Sequence, residues 1–371
     1  MSRPEPVLEV AEPGGSAADS PASDVAFNAA LLGYLARELE RPGLTFLTPP
    51  RRLTGGFDTT IYAFRLGSAP AEFSEPLVAR IFTRGHQRVA REAAIQNAVA
   101  GSGFPAPRIL HVCLDEAAVG HPFTVMPLVS GKTILDAIAS PSLFLFRAPV
   151  LMAETHARLH AIEPGLVYRA LASANVSAGW EGTRGFVAML RDELTAVPDS
   201  KLEPGLEWLE ARLPAASAPA VCHLDYHPKN ILVDEGRVSG VIDWVNGSLA
   251  EPAFDVGTTM MLMTLGPVDV PGPLAGAVAA GRRWAARRYL RAYQKLRPLP
   301  MAHVEYGEAL RCYTGLQHAS QGLVAGAPEP GESMPYAWSA PREVLALSRR
   351  FHELTGVALE SDRLEGLWRK R

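Results

Sequence analysis

Apolar positions in the first third of the chain come in short runs bounded by turn residues. Ile61-Tyr62-Ala63-Phe64, Leu77-Val78-Ala79-Arg80-Ile81-Phe82 and Phe123-Thr124-Val125-Met126 are such runs, and the pattern from Leu110 to Met126 suggests strands throughout. Their length and their β-branched and aromatic content predict a sheet. One helix interrupts it. Over Arg88 to Ala100, Glu92 shares a face with Ile95 and Val99 at spacings of three and seven, which turns its carboxylate inward. Beyond Pro127-Leu128-Val129-Ser130-Gly131, which reads as a connector, the spacing becomes helical. A helix beginning near Ala148 carries Leu151, Thr155, Leu159 and Ile162. Another sets Ala285, Tyr289, Ala292, Tyr293 and Leu296 opposite a stripe of Arg283, Arg287, Arg291 and Lys295. A last one runs from Arg342 to Leu354, with Pro341 in its first turn and Gly356 past its end.

This order of elements predicts an α+β fold in two lobes. Residues 26–126 form a small antiparallel-sheet lobe, 127–131 connect, and 132–371 form a larger, mostly helical lobe. Residues 1–25, rich in Pro, Ser, Gly, Ala and acids, read as a disordered tail. A Pro/Gly-rich stretch, Ala325 to Pro335, interrupts the last helices.

Composition narrows the class. The 371 residues with 47% hydrophobic content supply ample core. The 36 basic and 39 acidic residues leave a formal charge of −3, which argues against a nucleic-acid partner and makes the basic stripe a solvated face. There is no apolar signal region and no apolar run of about eighteen residues, so no membrane association is expected. Three cysteines, Cys113, Cys222 and Cys312, lack metal spacing and fit reduced thiols in a cytoplasm.

The chemistry concentrates between Cys222 and Trp244. The chain reads Cys-His-Leu-Asp-Tyr-His-Pro-Lys-Asn-Ile-Leu-Val, turns at Gly236, and continues to Val-Ile-Asp-Trp. Asp225 and Asn230 lie five positions apart, and Asp243 follows the next strand. Phosphoryl transfer asks mainly for alignment of a hydroxyl and neutralisation of phosphate charge, so a carboxylate base and two magnesium ligands suffice. In that pattern Asp225 takes or orients the hydroxyl proton, Asn230 and Asp243 hold Mg2+, and His223 holds the loop.

The run His223-x-Asp225-x-x-x-x-Asn230 followed by Ile242-Asp243-Trp244 resembles the hallmark of the aminoglycoside phosphotransferase, or choline/aminoglycoside kinase-like, family. Leu224 stands where that family more often carries glycine. Where the family tends to place Gly-Asp-Pro and a further Asp, this chain has Glu251-Pro252-Ala253-Phe254-Asp255, and the resemblance implies that Asp255 braces the catalytic loop. It also implies a protein-kinase-like fold and ATP with Mg2+ as cofactors. The likeness spans about Leu53 to Thr264 and is specific in the catalytic run.

Upstream residues take kinase-like roles on the same grounds. Gly55 and Gly56 form a tight turn whose amides can approach phosphate oxygens. Arg80 lies mid-strand, where an unpaired charge is costly, so Glu92 is its partner; in kinases a Lys at this place contacts the nucleotide phosphates. Main-chain groups near Met126 and Leu128 are the adenine contacts. His156 and His160, one turn apart, lack the intervening Glu and an evident third ligand of a metal site and read as a packing pair.

The expected activity is an ATP-dependent transfer of the γ-phosphoryl group to a hydroxyl of a small molecule, either an aminoglycoside-like antibiotic or another hydroxylated metabolite. Glu181, Asp192 and Glu193 could supply the acidic cleft a polycationic acceptor wants. The alternative is a catalytically inactive, kinase-like nucleotide-binding scaffold.

Overall fold

The computed structural model describes residues 21–53, 59–82, 86–139, 144–267, 272–325 and 341–359. Gly55, Gly56, nearly all of the tail and all but Ala325 of the Ala325–Pro335 stretch lie outside them. The chain opens with helix α1 (Pro21–Glu38), which takes in residues 21–25 that composition placed in the tail. Strands β1 (Thr45–Leu53), β2 (Thr59–Gly67), β3 (Leu77–Phe82), β4 (His111–Cys113) and β5 (Phe123–Pro127) then form one antiparallel sheet in the order β1-β2-β3-β5-β4. Helix α2 (His86–Gly101) interrupts them, as the Glu92, Ile95 and Val99 spacing requires. Every residue of β3 is buried, which is why that strand is continuously apolar apart from Arg80.

The second lobe begins with β6 (Lys132–Thr133) and continues through α3 (Ile134–Ala139), α4 (Phe144–Leu159), α5 (Pro164–Ser173), α6 (Gly182–Ala196) and α7 (Glu203–Ala211). Helix α4 starts four residues before the expected Ala148. Pro149 falls inside it, and the intrahelical bond it removes is the one to the carbonyl of exposed Leu145, which water can satisfy. Four short strands follow: β7 (Ala220–Cys222), β8 (Ile231–Asp234), β9 (Arg237–Val241) and β10 (Ser248–Ala250). They make a three-stranded sheet β6-β8-β9 and a β7-β10 pair. Asp234 pairs with Arg237 across the two-residue turn Glu235-Gly236, with φ of 48° and 73°, the left-handed pair of a type I′ hairpin.

Helices α8 (Pro252–Leu265), α9 (Ala275–Leu296), α10 (Met301–Ala325) and α11 (Pro341–Thr355) complete the chain. Helix α11 ends as expected: Gly356 takes φ 77° and its amide donates to the His352 carbonyl at 2.8 Å. On α9 the four basic residues of the stripe are exposed and Tyr289 and Tyr293 are buried, but Leu296 is 55% exposed because the helix ends beyond the edge of the core. No described helix is long and apolar enough to cross a membrane. The architecture is the α+β, two-lobed, protein-kinase-like fold.

Helix α2 joins the lobes. Its Ala93 packs with Val78, Ile109 and Met126 of the first lobe, while Ile95 and Val99 enter the core that holds Tyr226 and Trp244 of the second. Behind the catalytic strands, α8 and α10 cross with their backbones almost touching. A Cβ on Gly257 would stand 2.4 Å from the Val304 carbonyl oxygen and 2.5 Å from the Glu308 nitrogen. Neither backbone atom can rotate away. Gly257→Ala is therefore expected to cost about 1–3 kcal/mol as overpacking. Gly281→Ala, on an exposed stretch of α9 with nothing within 4 Å of the added carbon, is expected to be stabilising by up to about 1 kcal/mol. Urea denaturation midpoints of the two variants check the contrast.

Candidate active site

The loop between β7 and β8 carries the hallmark residues, and its start is locked by backbone geometry. Leu224 takes φ 59°, a left-handed conformation that favours glycine. Here Leu224 offsets the strain by burying its side chain in the α6–α7–α10 core. Its amide donates to Asp255 Oδ1 at 2.9 Å and the His223 amide to Asp255 Oδ2 at 2.6 Å. The His223 ring donates from Nε2 to the Ile242 carbonyl at 3.0 Å and lies 4.7 Å from the Trp244 ring. Burial lowers the His223 pKa, so it is neutral and ties this loop to the strand that precedes Asp243.

At the loop's centre, Asn230 Nδ2 donates to the Asp225 carbonyl at 3.0 Å and to Asp225 Oδ2 at 3.1 Å. That use of the amide nitrogen leaves Asn230 Oδ1 as the free end. His227 Nε2 stands 3.6 Å from the same Asp225 oxygen. Burial alone would raise the Asp225 pKa, but His227 and then Arg311 and His223 outweigh it and hold the carboxyl at about 2. Asp225 is a carboxylate at any physiological pH.

Asp243 lies two residues beyond β9 with φ 65°. Trp244 next to it is fully buried and donates to the Val241 carbonyl at 2.9 Å, which fixes the turn. The Ile242 amide donates to the Asn230 carbonyl at 2.9 Å, so the two candidate metal residues sit on stitched segments. Asp243 Oδ1 accepts from Arg80 Nη2 at 3.1 Å, and Arg80 Nη1 donates to Glu92. Burial works against the Arg80 charge, but Glu92 and Asp243 outweigh it and raise its pKa. The expected Arg80–Glu92 pair is present, and it extends to a third residue, Asp243.

At the connector, the Leu128 amide donates to the Pro76 carbonyl at 2.8 Å, so that amide is taken, while the Leu128 carbonyl has no backbone donor among the described residues. Met126 and Val78, with half-buried Ile61 and Leu128, make a small apolar surface beside it. His156 and His160 do find a third group, since their Nε2 atoms lie 3.0 and 3.2 Å from Asp255 Oδ2. Each Nδ1 is 2.6 Å from a tyrosine hydroxyl, Tyr289 for His156 and Tyr293 for His160. Each ring thus has a partner at both nitrogens, a carboxylate oxygen and a tyrosine hydroxyl, without a metal. Burial would raise the Asp255 pKa, but His156 and His160 outweigh it and hold it well below the usual range.

The residues that sequence reasoning passed over are His227, Tyr289, Tyr293 and Arg311. His227 lay inside the hallmark itself, and Arg311 showed the same signal as Arg80, a lone cation between apolar neighbours Leu310 and Cys312.

A model of the phosphotransferase enzyme family, APH, matches residues 50–299. The chain belongs to that family. Among solved structures, a Ralstonia eutropha JMP134 protein assigned to the aminoglycoside phosphotransferases aligns with a TM-score of 0.62 at 18% identity, over 90% of this chain and 99% of that one. Aminoglycoside phosphotransferase APH(4)-Ia, in a ternary complex with ADP and hygromycin B, aligns at 0.54 and 15% identity over 88% and 98%. A macrolide 2′-phosphotransferase type I aligns at 0.54 and 17% identity over 90% and 98%. At these identities the likeness is one of fold. Among curated proteins, acyl-CoA dehydrogenase family member 11 of Gallus gallus is 29% identical over 176 residues, 46% of this chain and 22% of that protein. Member 10 of Mus musculus is 26% identical over 183 residues, 45% and 16%. The chain thus matches less than a quarter of the length of either.

The buried relay gives a pH signature. Burial first, then the neighbouring His156, lowers the His160 pKa from 6.5 to about 4. The folded state thus binds fewer protons than the unfolded one in this window, and the stability His160 contributes is full above about pH 6.5 and lost as the pH falls toward 4. Unfolding free energy should drop by up to about 1.4 kcal/mol per pH unit there, and His160→Gln should flatten that slope while leaving the Asp255 contribution, which is lost only below about pH 4. Urea titrations from pH 8 to 4 compare the two slopes.

Proposed function

We propose that this phosphotransferase moves the γ-phosphoryl group of ATP to a hydroxyl of a small-molecule acceptor. The observation that carries the reading is the joining of an ionised Asp225, hydrogen-bonded to Asn230, with an Asp243 tied to the Arg80–Glu92 pair across the two lobes. The donor set also fits Mg2+: Asn230 Oδ1 and the half-exposed Asp243 carboxylate are hard oxygen ligands at the cleft. A bound Mg2+ would neutralise charge on the phosphate oxygens.

The rest of the work falls to the chain. Asp225 accepts a hydrogen bond from the acceptor hydroxyl and aims its oxygen at the γ-phosphorus. A carboxylate with a pKa of about 2 is a weak base, so it orients the hydroxyl early and takes the proton late, as the O–P bond forms and the bond to the ADP oxygen breaks. That timing suits the loose transition state of phosphoryl transfer. Arg80, aimed by Glu92 and Asp243, contacts the nucleotide phosphates. The adenine lies on the Val78, Met126 and Ile61 surface and meets the Leu128 carbonyl. His223 positions the loop and touches no reactant. The ADP complex of the APH(4)-Ia relative supports the nucleotide half of this reading.

Asp225→Ala is expected to lower ADP release by about 10²–10⁴-fold while leaving nucleotide affinity unchanged. Asp243→Ala should instead weaken Mg2+-nucleotide binding. Steady-state ADP release over a broad panel of hydroxylated acceptors, paired with calorimetric titration of Mg2+-ATP, separates the two. Equal loss of turnover and binding in Asp225→Ala would count against its role. Nucleotide binding without ADP release from any acceptor would point to the scaffold instead.

A further inference from the structure

Helix α10 is buried along its whole middle, Tyr306 to Ser320, except at Arg311 and His318. These two lie seven residues apart, two turns along one face, so the helix opens along a single line. The Arg311 charge acts on Asp225. His318 in turn feels Arg311 and, from α2, Arg88, and His227 stands 3.6 Å from the same Asp225 oxygen. His227 and Arg311 therefore act on one carboxylate, and His318, two turns along α10, lies between Arg311 and Arg88 of α2.

Arg311, like Arg65, has an enclosed Nε with no acceptor among the described residues, which sets it apart from the arginines paired with acids. Arg80, Arg191 and Arg350 each meet two acids. Arg311 Nε is shut off from solvent and has no hydrogen-bond partner among the described residues. An enclosed guanidinium edge without an acceptor is costly, and a ligand can supply what the chain does not. The acids expected to line a cationic acceptor's site are turned elsewhere. Glu193 accepts from Gln317 at 3.1 Å, about 120° round α10 from the Arg311–His318 line. Glu181 accepts from Tyr168, and Asp192 is exposed.

We propose that the acceptor carries an oxyanion, a carboxylate or a phosphate, close to the hydroxyl that Asp225 orients, and that Arg311 holds it. The Nε–Nη edge of a guanidinium presents two parallel donors that match such a group. A polycationic aminoglycoside would meet like charge at the same place. The proposal rests on the phosphoryl-transfer reading above and narrows its substrate class.

The test uses the full chain with Mg2+-ATP and reads ADP release on matched acceptors: hydroxycarboxylates of two to six carbons, their methyl esters, monophosphorylated sugars, the free sugars, and aminoglycosides. The acid is expected to exceed its ester, or the sugar phosphate its free sugar, by about 10- to 100-fold in kcat/KM, the value of a charge-assisted hydrogen-bond pair. Whichever pair shows the preference identifies the oxyanion as carboxylate or phosphate. Arg311→Gln should collapse that ratio through KM, and Arg311→Lys, which keeps the charge but not the fork, should restore part of it; thermal melting of both variants checks their folding. Ratios near one in both pairs, or an Arg311→Gln loss equal on charged and neutral acceptors, overturn the proposal and leave Arg311 as a positioning residue for Asp225. Preference for aminoglycosides overturns it while phosphoryl transfer stands. Nucleotide binding without ADP release from any acceptor overturns it together with the reading beneath it.

Discussion

Asp255 is a carboxylate shut off from solvent, and it stays ionised because four donors from two segments converge on its two oxygens: the amides of His223 and Leu224 and the rings of His156 and His160. Stripping a carboxylate of solvent costs several kcal/mol unless its lone pairs are filled. Once filled, the same low dielectric makes each bond hard to break. The consequence is positional. The two amides begin the catalytic loop, so the strained φ of Leu224 and the placement of Asp225 one residue later follow from where α8 puts Asp255. The two tyrosines of α9 close the back of the relay, so α9 is tied by hydrogen bonds through Asp255 to the amides that begin the loop carrying Asp225.

The second lobe meets the first through a smaller set of contacts with a similar logic. Arg80 is buried in a central strand and bonds to Glu92 on α2 and Asp243 beyond β9. A guanidinium can do this because its donors fan out in one plane; a lysine in that strand would present one compact charge. Helix α2 is itself shared between the two cores. The candidate phosphate contact and the candidate metal ligand are thus held at a spacing set by packing on both sides of the cleft.

Much of the site was legible in the sequence because its residues are close in number and stand at fixed offsets. His223, Asp225, Asn230 and Asp243 announced themselves as polar groups bracketed by apolar strands, and Glu92 was turned inward by helical spacing alone. Helix boundaries with a proline or a glycine at a capping position were read well at α11. They were read less well at α4, which was expected to begin near Ala148 and instead starts at Phe144 and absorbs Pro149. The acid cluster proposed near Glu181, Asp192 and Glu193 shows the opposite case: composition located the charge, but side-chain partners decided which way it faces.

What the sequence by itself determined is everything that depends on local periodicity and short spacing: the two-lobed order of strands and helices, the inward face of α2, the hallmark loop and the family. What only the tertiary structure decided is everything that depends on residues far apart in number meeting in one place. Asp255 collecting His156, His160 and the loop amides, Arg80 reaching Asp243, and Arg311 of α10 acting on Asp225 are of this kind. The physical reason is that a period of 3.6 or 2 residues reports which side of an element is buried, while the identity of the group across the interface is set by how the elements pack, and a single chain carries no local signal for it.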